Sequence, residues 1–371
     1  MFLSAVGVRS YNTEESKRGF VMNCGKLTES IYERSVIKVV KTNSIENRKF
    51  YDGAGLGADC AILTGEKASG MMSGQALASG LDAKVAVRAY MAAVNHVIAC
   101  CANGAASGLF DAYANMTLVV PKRLREIKVR GMIGETAVQA EETGVPMLSC
   151  NVQVLDSVME AVAVCVVNAG VENRCDGKIV PLKKKAHARE DIVMTKWLGL
   201  EGTAVVAAGS HDKLCARYPA DIVEEAADFY RYLSIATEAA TAVKSGAGYL
   251  HVLREGGVFG GLWQLAADNG VGLVVDLKRI PVRQETIEVC EFFDLNPYEL
   301  LAGGSALMTS PNGGELVRAL EEAGVPAAVI GHTTQGNDRL ICHDGESRYL
   351  EPANGDEIYK YFQSKIGGLE Q

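Results

Sequence analysis

His251-Val-Leu-Arg-Glu-Gly-Gly-Val-Phe-Gly-Gly-Leu262 is the stretch from which the rest of the chain can be read. Its glycines precede an apolar run of Leu262, Trp263, Leu265 and Ala266. That order predicts a tight loop feeding a helix, a device that lets backbone N–H groups approach a phosphate. Candidate binding residues follow from it: His251, Glu255, Gly256 and Gly257. Glu255 reads either as a replacement acid in a cleft or as a helix N-terminal carboxylate facing the macrodipole.

Working outward, the 371 residues suffice for two domains and a sizeable core. Apolar residues make up 48% and aromatic ones only 6%, so the core is built from Ala, Val, Leu and Ile. The 39 glycines are dispersed, which favours many tight turns over low complexity. A formal net charge of −8 argues against nucleic acid as a partner. The basic run Pro181 to Arg189 reads as a solvated interdomain segment. No basic segment with an apolar h-region opens the chain, and the apolar stretch Ala83 to Ala102 carries Lys84, Arg88, Asn95 and His96. It therefore reads as a buried helix and not a membrane span. A cytoplasmic protein with reduced thiols is expected, since the ten cysteines include no CxxC pair.

Periodicity predicts mixed strands and helices. Helices are expected at Lys26–Val40, Lys84–Cys101, Gly134–Thr143, Glu285–Phe293 and Glu315–Gly324, with a long amphipathic stretch over Asp221–Lys244. Strands are expected at Asp59–Leu63, Met116–Val120, Ala161–Val167, Asp191–Trp197, Gly270–Asp276 and Ala327–Gly331. The fold class is α+β. The expected division is an N-terminal extension over 1–23, one domain over 24–180 and a second over 181–371, because Asp176-Gly177 and the basic run interrupt the apolar pattern.

Several segments in order resemble the AIR synthase-related (PurM-like) superfamily, in its HypE-like hydrogenase-maturation branch. They are Gly25-Lys-Leu27, Tyr32-Glu-Arg34, Gly55-Leu-Gly-Ala-Asp-Cys-Ala61, Asn95-His-Val97, Asp191-Ile-Val-Met-Thr195 and Gly199-Leu-Glu-Gly-Thr-Ala204. Glu255-Gly-Gly-Val-Phe-Gly260, Gly270-Val-Gly-Leu273, Ile280-Pro-Val-Arg-Gln-Glu-Thr286 and Asp294-Leu-Asn-Pro-Tyr298 complete the set. The resemblance implies an N-terminal sheet-and-helix dimerisation domain bearing an ATP cleft, and a C-terminal mixed sheet with helices. It also implies ATP and Mg²⁺ as cofactors and a homodimer, with no nucleic-acid or membrane partner. Lys26, Gly55, Gly57, Asp59, Asn95 and His96 join the candidate set, with Asp59 the candidate metal ligand.

The chain departs from the family pattern where acids are expected. Those positions read Ala58, Gly74, His96, Gln153 and Val252, and Arg254 stands in place of a threonine. Asp59 then reads as a Mg²⁺ ligand or a turn cap, and His96 as a core histidine or a replacement phosphate or metal contact. Lys26 reads as a phosphate contact or a solvated lysine. The closing segment Lys365 to Gln371 has no cysteine, so the resemblance does not extend to a carbamoyl-accepting tail. Three readings stay open: a catalytically reduced homologue acting as a binding or regulatory partner, alone or with an intact paralogue; an active ATP-dependent enzyme with a remodelled metal site; and a small-molecule binding module.

Overall fold

The computed structural model describes residues 31, 33–37, 51–52, 60–64, 69–80, 82–103, 109–172, 174–175, 178–179, 185–353 and 355–367. Its N-terminal part runs β1 (Tyr51–Asp52), β2 (Cys60–Thr64), β3 (Ser69–Gly80), α1 (Val85–Asn103), β4 (Leu109–Pro121), α2 (Glu126–Thr143), β5 (Met147–Leu155) and β6 (Ala161–Glu172). These strands form a six-stranded sheet in the order β1-β2-β3-β6-β4-β5. A short hairpin of β7 (Arg174–Cys175) and β8 (Lys178–Ile179) follows.

The C-terminal part contains β9 (Asp191–Thr195), α3 (Leu200–Gly209), α4 (His211–Cys215), α5 (Ala220–Ala227), α6 (Ala236–Lys244), β10 (Tyr249–Val252) and α7 (Gly257–Asn269). It continues through β11 (Gly272–Asp276), α8 (Gln284–Phe293), β12 (Ala306–Ser310), α9 (Gly313–Glu322), β13 (Ala327–Thr334), β14 (Arg339–His343), β15 (Glu346–Tyr349) and α10 (Ile358–Gly367). Its seven-stranded sheet has the order β10-β12-β9-β13-β11-β14-β15. Only β11 and β14 pair in parallel within it, so the sheet is mixed. The architecture is a two-domain α+β fold, each sheet carrying its own helices.

Helix α1 is apolar around its whole circumference because both of its sides are covered. Ala89, Met91, Ala93, Val94 and Val97 are buried in the N-terminal core, while Ala99 and Ala102 belong to a cluster with Ile235, Leu250 and Val252 of the C-terminal domain. By length and composition the helix could cross a membrane, yet 83% of it is buried inside the protein. Its small side chains allow close approach to β3. A Cβ at Gly74 would lie 2.8 Å from Val97 Cγ2 and 2.9 Å from the Ala93 carbonyl.

The stretch expected to be one amphipathic element over Asp221–Lys244 is broken. Between α5 and α6 lies a 3-10 turn, Asp228–Tyr232. The cause is the diversion of carbonyls. Lys196 Nζ takes those of Tyr232 at 2.8 Å and Ser234 at 2.6 Å, and Asn95 Nδ2 takes that of Leu233 at 2.7 Å. Carbonyls pulled toward these partners cannot continue a helix. Helix α2 starts at Glu126, eight residues before its expected start, and Gly131 and Gly134 sit inside it on open surface. Of the expected helix at Lys26–Val40, only a π-helical turn at Glu33–Ile37 and Ile31 fall among the described residues.

Two glycines therefore predict opposite outcomes. Gly74→Ala forces a methyl into α1 and is expected to lower stability by ~1–3 kcal/mol. Gly134→Ala meets nothing within 4 Å and is expected to raise stability by ~0.5–1 kcal/mol. Urea unfolding of both variants checks the pair, and a neutral Gly74→Ala would contradict the packing described.

Candidate functional site

The stretch from His251 is not a free loop. Residues Tyr249–Val252 form β10, paired antiparallel with β12 so that His251 lies opposite Leu307 and Val252 opposite Ala306. Alternate side chains of a strand face opposite ways. Leu250 and Val252 join the apolar cluster that includes Ala99 and Ala102 of α1, whereas Tyr249 and Leu253 join the cluster packed around α7. His251 shares the second face. His96 projects from α1, which packs on the first face, and its Nδ1 lies 3.1 Å from the Gln75 carbonyl of β3. The two buried histidines thus sit on opposite sides of β10 and do not converge on one ligand.

The glycine turn has left-handed backbone at Gly256 (φ 80°) and Gly257 (φ 60°). A Cβ at Gly257 would come within 2.4 Å of the Tyr298 carbonyl, so close packing demands glycine there. Four N–H groups near the start of α7 have acceptors within the chain. Gly257 donates to Arg254 O (3.2 Å), Phe259 to Tyr298 O (3.1 Å) and Gly260 to Gly256 O (2.8 Å). Gly256 donates to Asp356 Oδ2 at 2.7 Å. The anion at this helix N-terminus is the chain's own carboxylate.

Asp356 is the residue that sequence reasoning missed. Its carboxylate also accepts from Leu301 N (3.1 Å) and Ile358 N (2.9 Å), tying α10 to the glycine turn and to the segment before β12. Burial pushes Asp356 up to about 7 against the pull of these N–H donors, and the Glu255 charge adds to the rise. An Asp just ahead of an apolar helix is a legible N-cap signal. Its bonds to Gly256 and Leu301 are tertiary and leave no trace in local sequence.

The other candidates are placed as follows. Asn95 is buried, with Nδ2 donating to Leu233 O and Oδ1 accepting from Ile235 N at 3.3 Å, so its amide serves interdomain packing. Glu255 is mostly buried and pairs with Arg254 at 3.9 Å. Lys26, Gly55, Gly57 and Asp59, together with Ala58, lie outside the described residues. Gly74 is pressed beneath α1, and Val252 is enclosed by apolar neighbours. Gln153 is exposed on edge strand β5. Register aligns it through Val119 and Val162 with Ser79, placing it roughly 20 Å from Gly74 within one chain. Among the described residues, no three His, Cys, Asp or Glu side chains form a group able to hold a metal ion. Mg²⁺ prefers a cluster of oxygen ligands, and these residues do not fit it.

The most concentrated charge lies at the domain seam. Arg88 Nη1 is 3.3 Å from Glu201 Oε1, and Arg88 Nη2 is 3.3 Å from Asp82 Oδ2 and 2.5 Å from the Ser79 carbonyl. Arg254 approaches the other Glu201 oxygen at 3.7 Å and donates through Nη2 to the Leu77 carbonyl of β3. Burial opposes the Arg88 charge, but Asp82, Tyr230 and Glu201 outweigh it and hold this guanidinium above its ordinary value. Nearby, buried Lys196 pairs with Glu238 at 2.6 Å and donates to a third carbonyl, that of Gly304, at 2.9 Å. Burial still lowers Lys196 below its ordinary value.

Residues 192–343 match the family model for AIR synthase related protein, C-terminal domain. With the two-domain fold, this makes the chain similar to the AIR synthase-related, PurM-like proteins. The carbamoyl dehydratase HypE of Rhizobium leguminosarum bv. viciae is 22% identical over 265 residues, 68% of this chain and 72% of that protein. A solved HypE–HypF complex contains a chain that matches with TM-score 0.59 at 14% identity, covering 85% of this chain and 99% of that one. The hydrogenase maturation protein HypE in complex with ATP matches with TM-score 0.57 at 16% identity, over 89% of this chain and 96% of the other. AaThiL complexed with AMPPCP and TMP matches with TM-score 0.59 at 16% identity, over 90% and 99%. Likeness at these identities establishes the fold.

Asp356 gives a pH prediction. Its folded-state value, about 7, lies above the ordinary 3.8, so between them the folded chain holds a proton that the unfolded chain has lost. This carboxyl therefore favours folding most at low pH, less as pH rises through that window, and is flat above it. Relative to Asp356→Asn, wild-type stability is expected to fall by on the order of 1 kcal/mol per pH unit across the window. Urea midpoints of both proteins at several pH values test it, and parallel profiles would refute it.

Proposed function

We propose that this chain is a HypE-like homologue with a degenerate Mg-ATP site, acting as a binding or regulatory partner and not as an ATP-dependent catalyst. The observation that carries the reading is the packing at the positions where the family expects acids. At Gly74 the space for a side chain is taken by α1, and Val252 is built into an apolar cluster. A carboxylate at either point would be desolvated or sterically excluded. Losing several ligand contacts of this kind removes many orders of magnitude in phosphoryl-transfer rate.

The nucleotide-bound relatives favour a second reading, in which a remodelled site built from Asp59, Glu255 and histidines still handles ATP. The positions of His96 and His251 on opposite faces of β10 weigh against it, as does the engagement of Glu255 with Arg254. A third reading, a less charged small molecule in the same cleft, follows if ATP fails to bind. Titration calorimetry with Mg-ATP separates them. No binding heat and no Mg²⁺-dependent ATP hydrolysis are expected, and turnover that requires Mg²⁺ would overturn the proposal.

The same reading assigns a homodimer formed by the N-terminal domain, which we take to end at residue 180. The sheet face opposite α1 bears Leu77, which is 44% exposed, and half-buried Val162, Val164 and Val166. Leu155 on β5, 42% exposed, extends that apolar face. Such a surface is large for a monomer to leave in water. The HypE–HypF complex supports a further heteromeric contact, for which an intact paralogue is one candidate. A cytoplasmic location without nucleic-acid or membrane partners fits the net charge of −8. Light scattering at micromolar concentration is expected to give a dimer mass, and a monomer would count against this assignment.

A further inference from the structure

We propose that α1 and Arg254 lock the two domains into one rigid body, so that neither domain rotates against the other. The inference is independent of what the protein binds. Among the described residues, four side chains cross the seam, and each is buried and bonded to a partner in the other domain.

At the start of α1, Arg88 meets Glu201 of α3 at 3.3 Å. Two turns on, Asn95 grips the backbone on either side of Ser234 through Leu233 O and Ile235 N. At the end of the helix, Asn103 accepts from Leu250 N and donates to Leu250 O, both at 2.7 Å. That pair of bonds occupies the outer edge of β10, where a neighbouring strand would otherwise pair. From the opposite direction, Arg254 reaches back to the Leu77 carbonyl of β3 and to Glu201. The clamps are spread along the full length of α1, so no single pivot can keep all of them while the domains turn.

The charges make the orientation specific. Arg88 and Arg254 share Glu201, with Asp82 beside the first and Glu255 beside the second. Arg88, Glu201 and Arg254 are at most 9% exposed. Separating the domains would strand these groups in half-dry surroundings before water could reach them, which penalises partial opening more than complete unfolding. The position of Arg254 directly before the glycine turn carries the same restraint to Glu255 and Gly256.

Two amides report on the lock directly. The N–H groups of Leu250 and Ile235 have as acceptors side chains of the other domain, Asn103 and Asn95. Any domain opening exposes them while leaving both sheets intact. Native-state hydrogen exchange is therefore the test, with Val193 in β9 and Leu118 in β4 as references inside each sheet. In the wild type, Leu250 and Ile235 should exchange as slowly as these references. Arg254→Met keeps the volume and leaves Arg88 paired with Glu201. It should speed the two seam amides by ~10-fold or more relative to the references. Asn103→Ala, which removes a different clamp, should do the same at Ile235. Seam amides that exchange far faster than the references in the wild type would overturn the proposal. So would seam protection unchanged in both variants.

Discussion

The structure depends on covering α1 on both sides. A nineteen-residue helix apolar around its whole circumference cannot present a face to water. The N-terminal sheet covers one side and the C-terminal domain the other. That constraint brings β10, α6 and the turn after α5 against the helix. It also explains the polar residues within it. Arg88, Asn95 and Asn103 are tolerated because each finds a buried partner across the seam. Leu233 O is one carbonyl supplied in this way, from the segment between α5 and α6 where the helical pattern after Asp221 is interrupted.

The same constraint accounts for the residues found at positions 74 and 252. Once α1 lies close on β3, position 74 has no room for a side chain, and glycine is the residue that fits. Once β10 packs its Leu250 face against the helix, position 252 lies in a dry environment. An unpaired carboxylate there would be desolvated or protonated, whereas valine adds to the core. The glycine turn follows a related logic. The N–H groups of Gly256, Gly257, Phe259 and Gly260 bond within the chain, and the carboxylate partner Asp356 comes from a segment a hundred residues away in sequence. A glycine-rich turn at a helix start is therefore as much a packing solution as an anion cradle.

Element type was well marked along the chain wherever apolar periodicity was strong. The helix at α1, the strands β2, β6, β9 and β11, and the helices α8 and α9 fall within a few residues of their expected bounds. Strands β3 and β5 escaped notice. The first is dominated by Gly, Ser and Ala, and the second carries its apolar residues outward. His251 and Val252 belong to a strand that the neighbouring glycines disguised. Of the candidate site, the family resemblance supplied the segments, and the residues themselves left the roles of His96, Glu255 and Asp59 open.

By itself the sequence determined the α+β class and the identity of most core elements. These are matters of local pattern and composition, which survive without knowledge of any contact. Tertiary structure alone decided what surrounds the candidate residues. It set Gly74 beneath α1, turned His96 and His251 to opposite faces of β10, and placed Asp356 at the start of α7. It also joined Arg88 and Arg254 through Glu201. Each of these depends on which distant segment lies opposite, and the free energy of burying or pairing a polar group is fixed only when that neighbour is in place.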